Sequence, residues 1–257
     1  MNKLILTAAA MLAASQVSAG VRIETVTRDI KTQVVDGGTQ VVMVQDGKIR
    51  MNNPKHGNGM ILKNSVLYVI DDTRKTYSEI DKATMKKTAD QAGAAMKQME
   101  EHLKNMPPEQ RAQMEKMMGG NMGGKKDLYE AKDTGKSETS EGRQCRVWNV
   151  LKNGKVSEEL CVVPFSSLPG KEDFEKAFKE LAEATASMTA GLPGAGDSIK
   201  ARNSVNGFPV RVRHFDEGGK SRGSETILTK WIAESLAGST FEIPTGYTKK
   251  ELPKFGG

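Results

Sequence analysis

Cys145-Arg146-Val147-Trp148-Asn149-Val150-Leu151 runs through Lys152-Asn153-Gly154 into Lys155-Val156-Ser157-Glu158-Glu159-Leu160-Cys161, and the whole stretch reads as two strands around a turn. Branched and aromatic residues fill both arms, and Asn-Gly is a strong hairpin signal. A type I turn at Lys152-Asn153, with Gly154 as the left-handed bulge residue, pairs Leu151 with Lys155. Counting outwards sets Cys145 opposite Cys161, where directly opposed β-carbons are close enough to bridge. The pattern predicts antiparallel β-structure stapled by one disulfide.

The same signals extend outwards. Residues 21–52 read as two long strands, with Asp36-Gly37-Gly38 and Asp46-Gly47 as turns. Gly59 to Asn64 and Val66 to Asp71 form a short pair, and residues 75–80 continue it. Residues 205–216, 220–233 and the terminal Thr240-Phe241-Glu242-Ile243 complete the set. Short connections favour an antiparallel meander over crossover helices. Two helical patterns interrupt it. Met85, Ala89, Ala92, Met96, Met99, Leu103 and Met106 recur at alternating spacings of 4 and 3, on one helix face. Pro107-Pro108 ends that helix, and a short one follows from Glu109 to Met118. Phe174, Phe178, Leu181, Thr185 and Met188 repeat the spacing in a second segment, at about 171–190. The expected class is α+β: one curved antiparallel sheet, with helices packed on one side.

The first residues give an address. Lys3 precedes an apolar stretch from Leu4 to Ala14, and Val17-Ser18-Ala19 supplies a small-x-small cleavage site. This predicts a signal peptide over residues 1–19, cleaved after Ala19, and a single β-rich domain from 20 to 257 in the periplasm. The methionine-rich insertion falls at about 82–124. An oxidising compartment suits the Cys145–Cys161 bridge. The full chain of 257 residues carries 38 Lys and Arg against 32 Asp and Glu, a net charge of +6 without a dense basic block. Aromatic residues are 5%, too few for stacking platforms that read single strands, so nucleic acid is not an expected partner.

Catalytic patterns are scarce. His56, His102 and His214 lie in three separate segments. Gly219-Lys220-Ser221-Arg222-Gly223 matches the G-x-S-x-G nucleophile motif in letters. That motif needs a strand feeding a helix and a histidine downstream, whereas strand-like sequence flanks this one and no histidine follows it. There is no P-loop, zinc-protease helix or dinucleotide fingerprint. A non-enzymatic protein without a cofactor is expected. Arg211 and Arg213 alternate with Val210 and Val212, so one sheet face reads as basic: a solvated outer face, or a surface for anionic headgroups or an acidic partner.

Eight of the fourteen methionines lie between Met85 and Met122. Three readings compete: core packing, a pliable lining for a hydrophobic ligand or partner, and a soft-metal site for Cu(I), with Met114, Met117, Met118 and Met122 grouped at one end.

Several short stretches together resemble an uncharacterised family of exported bacterial proteins whose fold is related to the LolA/LolB lipoprotein carriers. They are Gly47-Lys48-Ile49-Arg50-Met51, Val66-Leu67-Tyr68-Val69-Ile70-Asp71, Lys75-Thr76-Tyr77-Ser78-Glu79-Ile80 and Met106-Pro107-Pro108-Glu109-Gln110-Arg111. Gly142-Arg143-Gln144-Cys145 and Phe241-Glu242-Ile243-Pro244-Thr245-Gly246-Tyr247 resemble the family's cysteine strand and closing strand. The resemblance implies a half-open antiparallel barrel with helices on its concave side, where LolA-like proteins hold acyl chains. It brings no catalytic residues. The leading expectation is a periplasmic carrier for an acyl chain, lipid or lipoprotein, in peripheral contact with the membrane. Met96, Met99, Phe174 and Phe178 are the candidate lining. The alternatives are Cu(I) handling through the methionine segment and an envelope interaction protein without a small ligand.

Overall fold

Twelve strands share one sheet, and their register alone shows which side chains meet. The computed structural model describes residues 20–53, 55–110, 127–190, 195–216 and 219–251. In chain order the strands are β1 (Gly20–Asp29), β2 (Val35–Gln45), β3 (Lys48–Asn53), β4 (Asn58–Lys63), β5 (Val66–Asp71) and β6 (Thr76–Ile80). They continue as β7 (Tyr129–Ser140), β8 (Arg143–Lys152), β9 (Lys155–Val163), β10 (Phe208–Phe215), β11 (Ser221–Glu234) and β12 (Thr248–Lys249). Helix α1 (Lys82–Lys104) separates β6 from β7, and α2 (Lys171–Ala190) and α3 (Ala195–Asn203) lie between β9 and β10. The sheet order is β12-β6-β5-β4-β3-β2-β1-β11-β10-β9-β8-β7, so the sheet does not close on itself. Only β12 runs parallel to its neighbour, β6. The α+β class and the antiparallel sheet agree with the sequence.

Tight turns make the meander. Asp46-Gly47, Asn64-Ser65, Glu141-Gly142 and Asn153-Gly154 each place two successive residues at positive φ, the type I′ geometry whose twist matches the strands it joins. At the cysteine hairpin this differs from the expected three-residue loop. Asn153 tolerates the left-handed region, at φ 53°, so the loop shrinks to two residues and Lys152 pairs with Lys155. The register then shifts, with Ser157 donating its hydroxyl to the Val150 carbonyl at 2.9 Å, and Val147 rather than Cys145 faces Cys161. The disulfide still forms, along a diagonal with 5.3 Å between its α-carbons.

Other boundaries move for local reasons. Asp36-Gly37-Gly38 is not a turn but part of β2, where the register against β1 shifts between Val26 and Thr27. The turn lies earlier, where the Asp29 carboxylate accepts from the Lys31 and Thr32 amides and the Thr32 hydroxyl. Residues 240–243 are not a strand either. Gly238–Phe241 is a 3-10 turn that buries Phe241 like a peg, and the last strand is β12. The short helix expected from Glu109 to Met118 lies mostly outside the described residues, as do residues 1–19.

Two apolar rows cross the sheet on its helix side. Val21, Val44, Ile49, Leu62, Leu67 and Ile80 are successive cross-strand partners from β1 to β6, and all but Ile80 are buried. Phe174, Ala177 and Ala184 of α2 and Met85 of α1 belong to the same core. On the other side of β4 and β5, Ile61 and Ile70 meet Phe241, and Leu236 and Tyr247 pack around them. The C-terminal segment thus covers there what the helices cannot reach. A third core joins Val150, Leu160 and Val162 to Ala201 and Val205, at and beyond the end of α3.

Replacing both Cys145 and Cys161 by Ala should lower stability by about 3 kcal/mol, the scale for a loop of this length. Urea unfolding of the oxidised protein against the variant checks it; equal midpoints would show that the bridge is energetically idle.

Candidate functional site

The second apolar row leads from the core to the surface. Trp231, Ile23, Val42, Met51, Met60 and Val69 are consecutive partners on β11, β1, β2, β3, β4 and β5. Ile23 is 3% exposed, Val42, Met51 and Met60 are half-buried, and Val69 is 41% exposed. The next row, Asn53, Asn58, Asp71 and Thr76, is polar. The sheet therefore carries an apolar floor four side chains wide with a hydrophilic border, unlike the buried row beside it.

An aromatic cluster stands at the inner end of this floor. Phe174 stacks on Phe178 with ring centres 4.2 Å apart and lies 5.5 Å from Phe208 and 5.2 Å from Trp231. Phe165 lies 6.1 Å from Phe174. The Trp231 indole N–H donates to the Pro169 carbonyl at 2.8 Å, which fixes the ring. Five of the chain's nine Phe and Trp residues gather here. Of the candidate lining residues, Phe174 is buried and Phe178 is half-buried, both on α2. Met99 is half-buried on α1; the Met96 side chain lies outside the described part of that helix. Met51 and Met60 are not among the candidates drawn from the sequence, although their alternation with Arg50 and Ile61 is visible there. Met114, Met117, Met118 and Met122 lie outside the described residues.

The arginines of β10 line neither a solvated nor a basic face. Arg211 is 5% exposed and Glu225 is 2%. Arg28, Glu225, Arg213 and Glu159 are successive partners across β1, β11, β10 and β9, joined by hydrogen bonds of 2.9, 2.9 and 3.1 Å. Arg211 donates to Glu159 at 3.0 Å and to Glu138 at 2.7 Å, and Arg28 donates to Glu141 at 3.1 Å. Three arginines thus meet four glutamates scattered along the chain, and this compensation is not visible in any local window. Burial pushes the Glu225 carboxyl up, but the hydrogen bonds from Arg28 and Arg213 outweigh it and hold the group below the ordinary glutamate range.

On the side of β10 that carries Val212, His214 faces Glu158, with Nδ1 3.4 Å from the carboxylate. Arg202 of α3 donates to the same oxygen. Burial raises the Glu158 carboxyl, and the bonds from His214 and Arg202 more than offset that. His56 and His102 are exposed. Ser221 opens β11 after a turn that leaves β10, a strand–turn–strand context in which the G-x-S-x-G letters form no elbow. No group of three or more His, Cys, Asp or Glu suited to a metal occurs among the described residues. None of the described helices is long and apolar enough to cross a membrane.

No protein-family model matches the chain, and no curated protein matches it. Among solved structures, an uncharacterised conserved protein from Thermus thermophilus aligns with a TM-score of 0.40 at 6% identity, over 91% of each chain. MucB in complex with MucA(peri) aligns with a TM-score of 0.32 at 12% identity, over 89% of this chain and 56% of that one. A LolA superfamily protein from Nitrosomonas europaea aligns with a TM-score of 0.25 at 9% identity, over 89% of this chain and 91% of that one.

The ion network sets how stability responds to mutation and to pH. Arg211→Ala removes the charged hydrogen bonds to Glu159 and Glu138 from a buried position and should cost about 2–3 kcal/mol in chemical unfolding, against about 1 kcal/mol or less for Arg22, whose pair is more exposed. Because the folded Glu225 and Glu158 carboxyls titrate below their unfolded values, their contribution is complete above the unfolded value of about 4.3 and disappears as pH falls through the folded one. Stability should hold from about pH 7 to about pH 5 and then fall, and Glu225→Gln should flatten that fall. An unchanged slope in the variant would remove Glu225 from the account.

Proposed function

We propose that the chain is an exported, non-enzymatic carrier that buries the acyl chain of a lipid or lipoprotein, or another apolar group, on the floor formed by Val42, Met51, Met60 and Val69. The observation that carries this reading is the graded exposure of that row. An ordinary core row stops where its cover stops; this one continues as apolar side chains into a half-open position beyond Ile23. Methionine suits such a floor, because its unbranched thioether chain re-packs around different shapes. Val69 at the outer end and the aromatic cluster at the inner end give the groove a direction, from an open mouth to a closed wall.

The finer architecture belongs to the same reading. A half-open barrel, with α1 and α2 on its concave side, puts the floor inside the curve of the sheet. The signal sequence over residues 1–19 directs the chain to the periplasm, where β1 begins at Gly20, one residue past the cleavage site. Transfer of roughly 300 Å² of ligand surface onto the floor yields about 7 kcal/mol before ordering costs, enough for reversible carriage.

Native mass spectrometry of mature protein purified from the periplasm without detergent, followed by organic extraction, should show bound lipid. A hydrophobic dye should bind and be displaced by palmitate. Met51→Gln combined with Met60→Gln should weaken dye binding about tenfold, or ~1.4 kcal/mol, without lowering the cooperativity of unfolding. A bare polypeptide mass together with dye that palmitate does not displace would sink the carrier reading. A copper mass would favour the methionine segment as a metal site, and a crosslinked protein alone would favour an interaction module.

A further inference from the structure

A concavity of about 560 Å³ shares no lining residue with the apolar floor. It lies where the β8–β9 turn, the start of β7, the end of β10 and the outer side of α3 come together. Its size falls in the roughly 300–1,000 Å³ range of small-molecule sites. The walls carry both signs of charge in near balance. Asp127, Glu158 and Asp216 supply carboxylates, and Lys152, Lys155, Arg202 and Arg222 stand among them. Several of these groups are held in place. Asn153 donates to Asp127 at 2.7 Å, Lys152 lies 3.1 Å from the same carboxylate, and Arg202 and His214 fix Glu158. Arg202 and His214 nonetheless keep 49% and 40% of their side chains exposed. Two half-buried rings, Tyr129 and Phe215, border the space.

This lining selects among ligand classes. A lipid tail needs apolar walls. A simple anion would find its donors interleaved with carboxylates that cancel most of their attraction. A saccharide fits both features at once, because each hydroxyl donates and accepts, and the C–H face of its ring packs against an aromatic side chain. We infer that this cleft binds a saccharide of one or two rings. The hydroxyls bridge a lining carboxylate, Asp127 or Asp216, and the Arg202 guanidinium, and a sugar face rests on Tyr129 or Phe215. The site is independent of the apolar floor and does not rest on the carrier reading.

Saturation-transfer NMR on the folded mature protein tests it, with maltose, N,N′-diacetylchitobiose and digalacturonic acid as probes and methylphosphonate, whose methyl protons report binding, as the anion control. At least one disaccharide should receive saturation on its ring C–H protons. Arg222→Ala, an exposed change, and Ser198→Trp, which fills the cleft without altering its charge, should each weaken that signal about fivefold or more, or ~1 kcal/mol, with the melting curve unchanged. The Met51→Gln, Met60→Gln double variant should leave it intact. No transfer from any disaccharide at ~10 mM, where a millimolar site would be filled, overturns the proposal. So does equal transfer in Ser198→Trp, or a response to methylphosphonate alone.

Discussion

Everything else in the sheet depends on how far it bends, and the bend is written in its buried ion pairs. Neighbouring strands lie about 4.8 Å apart, so the five strand steps from β1 to β7 span roughly 24 Å in a flat sheet. Arg28 on β1 nevertheless donates to Glu141 at the end of β7, and Arg211 reaches Glu138 from three strands away. Arg143 at the start of β8 likewise donates to the Leu228 carbonyl on β11 at 3.4 Å. No side chain spans those distances unless the edge of the sheet folds back over its middle. The network therefore sits under a β7–β8 ribbon that crosses the face it came from. Its charges are buried for that reason, and Val26, Val147 and Ile227 are buried with them.

Much of this architecture is legible in the sequence because it depends on short-range chemistry. The Asn153-Gly154 and Asp46-Gly47 turns, the short β4–β5 pair and the bounds of α2 follow from residues a few positions apart. The disulfide is legible too, although its register is not, because the two-residue loop and then the bulge at Ser157 each move every partner beyond them. Strand β7 escapes a sequence reading because Tyr129–Ser140 is an edge strand rich in charge, with no apolar alternation to betray it. Helix α3 has only nine residues and scarcely any apolar face. The meaning of Arg211 and Arg213 is out of reach, since their partners are 52 and 73 residues away for one and 54 and 12 for the other. Charge alternation in a strand says that a face is ionic; only the fold says whether its countercharges arrive from elsewhere.

The apolar row and the charged cleft divide the surface by chemistry. The floor of Val42, Met51 and Met60 continues a core and keeps its polar neighbours in a separate row. The cleft around Glu158 places its charges inside and uses their mutual bonds to hold them in position. A groove of the first kind is tolerant of shape, because van der Waals contact and apolar burial are undirected. One of the second kind is selective, because each fixed donor and acceptor excludes ligands that leave it unpaired.

The strand order also constrains how the chain assembles. Strands β1 to β6 lie side by side in sequence order, and so do β7 to β11, so within each half every strand pairs with its sequence neighbour, by hairpins except where α2 and α3 intervene between β9 and β10. One seam joins the halves, β1 against β11, where Thr27 meets Thr226 at a separation of 199 residues. The first strand to emerge from a ribosome or a translocation pore waits for almost the last before it gains its second neighbour. Non-local closure of this kind is slow, because the loop entropy is lost before the contacts form. A chain with such a seam stays open as it is made and commits to its native sheet only after nearly all of it is free to fold.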